Sequence, residues 1–385
     1  MRRWTVPVDA RTRRALLKTG LATACAACLA GAGLGPGGVR AQAGMPGDVR
    51  PRPGAWFAAA PDGAVRCELC PWRCTLAAGQ RARCRVRANH GGEGQTLAWG
   101  NPVLVQEDPV ERLPFFHVRP GSRTLSVSTA GCNLHCQFCE VWDMALVHPE
   151  EVHSYDMPPR AIIEHARAAG LESVSFAFGE PVVFYEYMLD IAVRARDAGL
   201  LNLLQTAAFI EPAPLRTLAA TIDAANVDLK GFDERFYREV CGGELAPVLR
   251  SLVALKEAGV HLEITHIVIP TLNDDRQTLE RMCAWILDAL GADVPLHLAR
   301  FYPLYKLANL PQTPVSALDR ARAIALDSGL EYVYVAKVTG HAGENTFCPG
   351  CGEPVIERLG FIIDAVHLDA GRCRQCGHSI PGRWH

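Results

Sequence analysis

Between Arg123 and Val338, short apolar runs alternate with longer amphipathic segments, and this alternation restricts the fold more than any other feature of the 385-residue chain. The runs fall at 124–129, 173–178, 200–206, 225–229, 262–269, 295–301 and 331–335, and the segments between them include 159–169, 185–198, 245–258, 276–290 and 316–328. Strands alternating with helices predict a parallel sheet covered by helices, an α/β fold. About six such units suit a partial (β/α)6-type TIM barrel better than a closed barrel of eight. Folds of this kind carry their chemistry at the C-terminal ends of the strands.

The barrel, expected over residues 122–340, has flanks of different composition. Residues 1–43 read as a signal peptide: Arg13 and Arg14, then a weakly apolar Ala/Gly-rich run, then Ala41-Gln42-Ala43 as the exit. The paired arginines point to the twin-arginine route, hence to a periplasmic or exported protein. Pro36 and the many glycines make the run a poor membrane span. A start at Met45 would leave the protein in the cytoplasm. Residues 44–63 read as a Pro/Gly-rich linker, 64–121 as a cysteine-rich module and 341–385 as a tail with its own cysteine pattern. Seven of the 39 Lys and Arg but one of the 41 Asp and Glu lie in residues 1–43, so the remainder carries 32 against 40, a net charge of −8. Such an acidic chain lacks the broad basic face of a nucleic-acid binder.

Fifteen cysteines are many for this length, and they are clustered rather than spread as a disulfide framework. Directly after the first strand, Cys132, Cys136 and Cys139 have the spacing C-x3-C-x2-C, three thiolates from one loop. An iron–sulfur cube ordinarily takes four cysteines, so three would leave one iron open to an exogenous ligand. A zinc site and an ordinary four-cysteine cluster are the alternatives. Cys67, Cys70, Cys74 and Cys84 form a complete set of four, expected to hold zinc or an auxiliary iron–sulfur cluster. In the tail, Cys348 with Cys351 and Cys373 with Cys376 are paired knuckles, each followed by a glycine that allows a tight turn around a metal. A zinc-ribbon-like site, or an auxiliary cluster, would stabilise a tail too small to fold alone. Disulfides are the alternative for both sets in an exported chain. Cys25 and Cys28 lie in the segment that export removes. Cys241 and Cys283 stand alone in sequence and read as inert buried thiols.

The loop Gly131-Cys132-Asn133-Leu134-His135-Cys136-Gln137-Phe138-Cys139, with Phe138 before its last cysteine, resembles that of the radical S-adenosylmethionine (SAM) superfamily. The resemblance implies a [4Fe–4S] cluster on Cys132, Cys136 and Cys139 whose open iron chelates SAM. Reductive cleavage, fed by an electron donor, would then give a 5′-deoxyadenosyl radical that abstracts hydrogen from a substrate. Phe178-Gly179-Glu180-Pro181 is similar to the Gly-Glu-Pro element that receives the amino group of SAM, although many members have Gly or an amide residue where Phe178 stands. On the fourth strand, Asn226, Asp228 and Lys230 alternate with Val227 and Leu229 and share one face. Polar residues there are costly unless that face lines a wet or ligand-filled cavity, a salt bridge at the sheet edge being the alternative. Asp-Leu-Lys at this point resembles the pyruvate formate-lyase activating enzymes, in which the Asp and Lys contact SAM. Glu263, Thr265 and Arg300-Phe301-Tyr302-Pro303 are further candidates for substrate contact, whereas His266 and His297 read as core histidines.

Over about residues 65–384 the chain resembles the radical SAM component of the AmmeMemoRadiSam system. The matching pieces are Cys67-Glu68-Leu69-Cys70-Pro71-Trp72-Arg73-Cys74, Asp108-Pro109-Val110-Glu111, Phe115-Phe116-His117, Asn226-Val227-Asp228-Leu229-Lys230, Ile269-Pro270-Thr271-Leu272-Asn273-Asp274 and the tail from Glu344 to Trp384. Memo-like and AMMECR-like partners are implied. Glu140 stands where an Asn is common in that family. The enzymatic alternative is an activase that abstracts hydrogen from a backbone glycine of a glycyl radical enzyme. The non-enzymatic one is an exported iron–sulfur electron-transfer protein without SAM chemistry.

Overall fold

The computed structural model describes residues 49–384 and the backbone of Gln42–Ala43, which pairs antiparallel with Tyr155–Asp156. The rest of the expected signal peptide, with Cys25 and Cys28, lies outside the described residues. Seven parallel strands run in consecutive order: β1 (Arg123–Ser128), β2 (Ser173–Phe176), β3 (Leu201–Thr206), β4 (Ala224–Asp228), β5 (His261–Val268), β6 (Leu296–Arg300) and β7 (Val333–Ala336). An antiparallel strand, Leu104–Pro109, pairs with β1 at one edge. Because the order never reverses, every crossover steps the same way, and right-handed crossovers then place the connecting helices on one face. These helices are α1 (Pro159–Ala168), α2 (Tyr185–Asp197), α3 (Pro212–Ala219), α4 (Leu245–Glu257), α5 (Arg276–Ala289) and α6 (Val315–Asp327). Ile162, Ile191, Leu252, Ile286 and Leu318 turn inward from five of them and are fully buried.

Sequence periodicity does not announce α3, because Pro212 and Pro214 look like breakers. Both stand in its first turn, where the backbone N–H groups have no helical partner and proline removes nothing. The stretch expected as a linker also differs from a plain connection. Arg52–Pro53 and Phe57–Ala59 are strands paired with Glu93–Thr96 and Val65–Cys67. Phe57 packs flat on Gly94, where an added Cβ would lie 2.1 Å from the ring, and the Arg87 guanidinium covers the same ring at 4.4 Å.

At the N-terminal ends of the strands the interior is plugged by a buried polar network. Glu263 of β5 accepts hydrogen bonds from the Phe116 and His117 amides at 3.0 and 2.9 Å and from His297 Nε2 at 2.7 Å. Burial alone would raise its pKa, but the His261 and His297 hydrogen bonds outweigh that and hold the carboxyl well below the usual range. His117 is neutral: its Nδ1–H donates to Pro381 O and its Nε2 accepts from the Tyr334 hydroxyl, both at 2.6 Å. Arg383 closes the floor by donating to Gly259 O at 3.1 Å. The tail otherwise forms a three-stranded antiparallel sheet (Thr346–Phe347, Pro354–Leu359, Ile362–Val366) and a short hairpin of Leu368–Asp369 with Arg372–Cys373. No helix among the described residues is long and apolar enough to cross a membrane.

Candidate active site

With the floor closed, the C-terminal ends of the strands open onto a cavity of about 490 Å³, within the usual size of a small-molecule site. Its first wall is the loop after β1. Gly131 there has φ +98°, and a Cβ would fall 2.6 Å from Cys84 O, so glycine lets the cysteine-rich module press against the loop. Three neighbouring segments fix the loop. Trp72 Nε1–H donates to Asn133 O at 2.8 Å, Asn133 Nδ2–H donates to Phe209 O at 2.7 Å, and the His135 and Gln137 amides donate to Cys241 O and Val240 O at 2.8 Å. Cys132, Cys136, Phe138 and Cys139 all line the cavity, and the Leu134 amide points at Cys132 Sγ at 3.4 Å.

Burial pushes the Cys132 thiol well above its ordinary value, aided by the nearby charge of Glu180, and raises Cys139 to about 11. Cys136 moves the other way, because a hydrogen bond with Cys241 outweighs its burial. Cys241, expected to stand alone, therefore lies beside Cys136; it ends the π-helical turn Tyr237–Cys241 that follows β4. Cys283 lies in α5 and is buried, as expected of a core thiol.

The second wall is the turn after β2. Gly179 sits where a Cβ would lie 2.5 Å from Ser128 Oγ, so the turn closes against the end of β1. Phe178 takes φ +66°, a backbone position glycine fills without cost, and its ring lies 5.1 Å from the Arg112 guanidinium. Glu180, 3 % exposed, accepts from Thr206 Oγ1 at 2.5 Å, the Ala207 amide at 2.8 Å and the Val182 amide at 3.1 Å. Burial raises its pKa against the pull of these donors. The carboxylate is thus fixed in direction beside Cys132.

The third wall comes from the end of β4. Lys230 Nζ donates to Asp228 Oδ2 at 3.0 Å, and both line the cavity. Burial opposes the ammonium charge, but Asp228, Cys136 and Cys241 overcome it and raise the lysine pKa well above normal. The lysine backbone is pinned as well: Asn273 Nδ2–H donates to Lys230 O at 3.0 Å, and the Lys230 amide donates to the Tyr237 hydroxyl at 3.1 Å. Asn226, on the same face, lies deeper, its amide taken up by Pro114 O at 2.8 Å and the Thr265 hydroxyl at 2.7 Å. Thr265 lines the cavity; Glu263 and His297 belong to the floor, and His266 is buried with Nδ1 on Leu229 O at 2.8 Å. Arg300 turns its Nε–H to Thr313 O at 2.9 Å.

Other cavity residues were not expected at the site. Thr206 orients Glu180, Lys337 after β7 pairs with Glu140 after β1 at 2.5 Å, and Glu344, Gly360 and Phe361 of the tail complete the wall. The tail cysteines converge: the four sulfurs of Cys348, Cys351, Cys373 and Cys376 lie within 4.8 Å of one another, with pairs at 3.6 and 3.7 Å. Cys67, Cys70, Cys74 and Cys84 surround a separate small cavity.

Residues 126–283 match the radical SAM superfamily. An uncharacterized protein of Methanocaldococcus jannaschii is 38% identical over 321 residues, covering 83% of this chain and 96% of its own length. The pyruvate formate-lyase-activating enzyme of Clostridium pasteurianum is 27% identical over 223 residues, 55% of this chain and 91% of that enzyme. A domain of a pyruvate-formate lyase-activating enzyme from Bacteroides vulgatus aligns over 43% of this chain and 98% of its own, with 17% identity and a TM-score of 0.37. The loop of cysteines at the end of β1 lies within that matched stretch, and the chain thus carries a radical SAM superfamily domain, with homology to the pyruvate formate-lyase-activating enzymes.

Proposed function

We propose that the chain binds a [4Fe–4S] cluster through Cys132, Cys136 and Cys139 and uses SAM at that cluster to abstract hydrogen from a substrate. The observation that carries this reading is convergence: three cysteines of one loop share a single cavity with Glu180, Asp228 and Lys230 from two other strand ends. The donor set fits a cube with one open iron, since three sulfurs line the cavity and the Leu134 amide faces one of them. When bound, the cluster would supply one electron to split SAM into methionine and a 5′-deoxyadenosyl radical.

The protein's own part is binding and exclusion of water. Glu180, already aimed by three donors, offers its remaining lone pairs to an ammonium group beside Cys132. Asp228 and Lys230 present opposite charges to the polar end of the same ligand, and Phe138 and Phe178 cover the site with apolar surface. The AmmeMemoRadiSam subtype, with Memo-like and AMMECR-like partners, is supported by the sequence pieces from Cys67 to Trp384. Activation of a glycyl radical enzyme is the second reading, favoured by the names of two relatives, the Clostridium enzyme and the benzylsuccinate synthase activating enzyme of Thauera aromatica. Export rests on residues 1–43 and is part of the proposal. So is one zinc ion in the tail, supported by sulfur separations close to the roughly 3.8 Å edge of a tetrahedron with Zn–S of about 2.3 Å.

After anaerobic reconstitution, SAM and dithionite are expected to yield 5′-deoxyadenosine by chromatography. Cys132→Ala should abolish it, and Glu180→Gln should weaken SAM binding at least about tenfold by calorimetry, the scale of losing a charged hydrogen bond. A reconstituted cluster that neither binds nor cleaves SAM would refute the proposal.

A further inference from the structure

The cysteine-rich module is the part of the molecule that the proposed chemistry leaves unexplained. Its four cysteines come from three local pieces: Cys67 ends the strand Val65–Cys67, Cys70 and Cys74 flank a tight turn, and Cys84 follows from a separate loop. Cys67 and Cys84 are buried, Cys70 and Cys74 partly so, and all four face one enclosed space. The walls of that space are largely apolar, with Leu69 and Trp72 from the module and Val182 and Val183 from the turn after Glu180.

We infer that Cys67, Cys70, Cys74 and Cys84 hold a second iron–sulfur cluster of the four-iron type, seated against the loop that carries Cys132. Sulfur spacing separates this from a zinc site. One tetrahedral ion draws its thiolates to about 3.8 Å from each other, as the tail cysteines are drawn. In a cube each thiolate binds a different iron, so the sulfurs must stand further apart. Among the described residues, a group of three or more cysteine sulfurs all within 4.8 Å of one another occurs in the tail alone. The module cysteines line one common space without forming such a group.

The surroundings suit an anionic cluster. The Trp72 amide is directed at Cys70, and the Val86 and Arg87 amides at Cys84, in the manner of N–H groups that support bound thiolates. Arg87 is 1 % exposed and lines the space, and its Nε–H has no protein partner although its other nitrogens reach Glu186 and Ala55 O. An unpartnered buried donor on a full positive charge is costly unless a negative group fills the space beside it. The site also abuts the first one: Asn133 of the cluster loop lines it, and Cys84 O is the atom that excludes a side chain at Gly131.

The inference concerns a different cysteine set from the proposed catalytic one, and the two can fail separately. The full chain is reconstituted anaerobically with iron and sulfide in three forms: the native sequence, Cys132→Ala/Cys136→Ala/Cys139→Ala, and Cys70→Ser/Cys84→Ser. Iron, acid-labile sulfide and zinc are then counted, and Mössbauer spectra recorded. The triple variant should keep about four iron and four sulfide per chain, and the double variant should lose that complement relative to the native chain. A triple variant holding no iron or sulfide, or about two zinc per chain, overturns the inference. Where circular dichroism shows the double variant unfolded, the triple variant decides alone. Equal iron in the native and triple forms would instead count against the catalytic cluster and leave this one standing.

Discussion

Two glycines show how a single missing side chain can set the geometry of a site. At Gly131, both the positive φ and the 2.6 Å approach of Cys84 O forbid a Cβ. Gly131→Ala should therefore destabilise the chain by about 1–3 kcal/mol in urea titrations. It should also lower iron retention at the neighbouring loop, whereas a loss confined to stability would separate packing from cluster geometry. At Gly179 the constraint is steric alone, from Ser128 Oγ. Phe178 was visible in the sequence as a departure from family habit. Its φ of +66° and its Arg112 neighbour were not, because the first belongs to a turn closed against the end of β1 and the second comes from the helical turn that follows the edge strand.

At the scale of elements, the first and last parallel strands are linked at their C-terminal ends by Glu140 and Lys337. Each side chain is about one-third exposed, at 36% and 35%, so Lys337→Met should change stability by less than about 1 kcal/mol in denaturant titration. A larger loss would mean that the pair holds the cavity wall together. The tail is a different case. It contributes Glu344, Gly360 and Phe361 to the cavity and Pro381 and Arg383 to the floor, while Cys351 and Cys376 are exposed. A strong chelator should release about one zinc per chain and lower the melting temperature by several degrees. An unchanged melting curve after zinc loss would show that packing alone holds the tail. The knuckles were plain in the sequence; the tail's reach to both ends of the parallel strands was not.

For the molecule as a whole, the buried floor predicts acid sensitivity. Burial lowers the His117 pKa from its ordinary 6.5 to about 3, so between these values the unfolded chain binds a proton that the folded one does not. Stability is full above about pH 6.5 and falls as pH drops, by at most about 1.4 kcal/mol per pH unit from this group. Glu263, held below the usual carboxylate range, adds a loss in the same direction at lower pH. Melting temperatures should decline from pH 7 to pH 5, and His117→Asn should flatten the decline despite a lower starting value. An equally steep decline in that variant would place the sensitivity elsewhere.

Periodicity by itself determined the seven strands, five of the six long helices and, through the fold class, the end of the sheet where the cavity opens, because side-chain burial repeats with local backbone geometry. The three cysteine sets were likewise legible from their short spacings, Asp228 and Lys230 from alternation along one strand, and Glu180 from its resemblance to a known element after a strand. What only the tertiary structure decided are contacts made across long stretches of chain. Cys241 came to Cys136, Thr206 to Glu180, Asn273 to the backbone of Lys230 and Cys84 to Gly131. Each joins residues on different crossovers or modules, and no local repeat records which strand ends and loops will face one another once the sheet has packed over its floor.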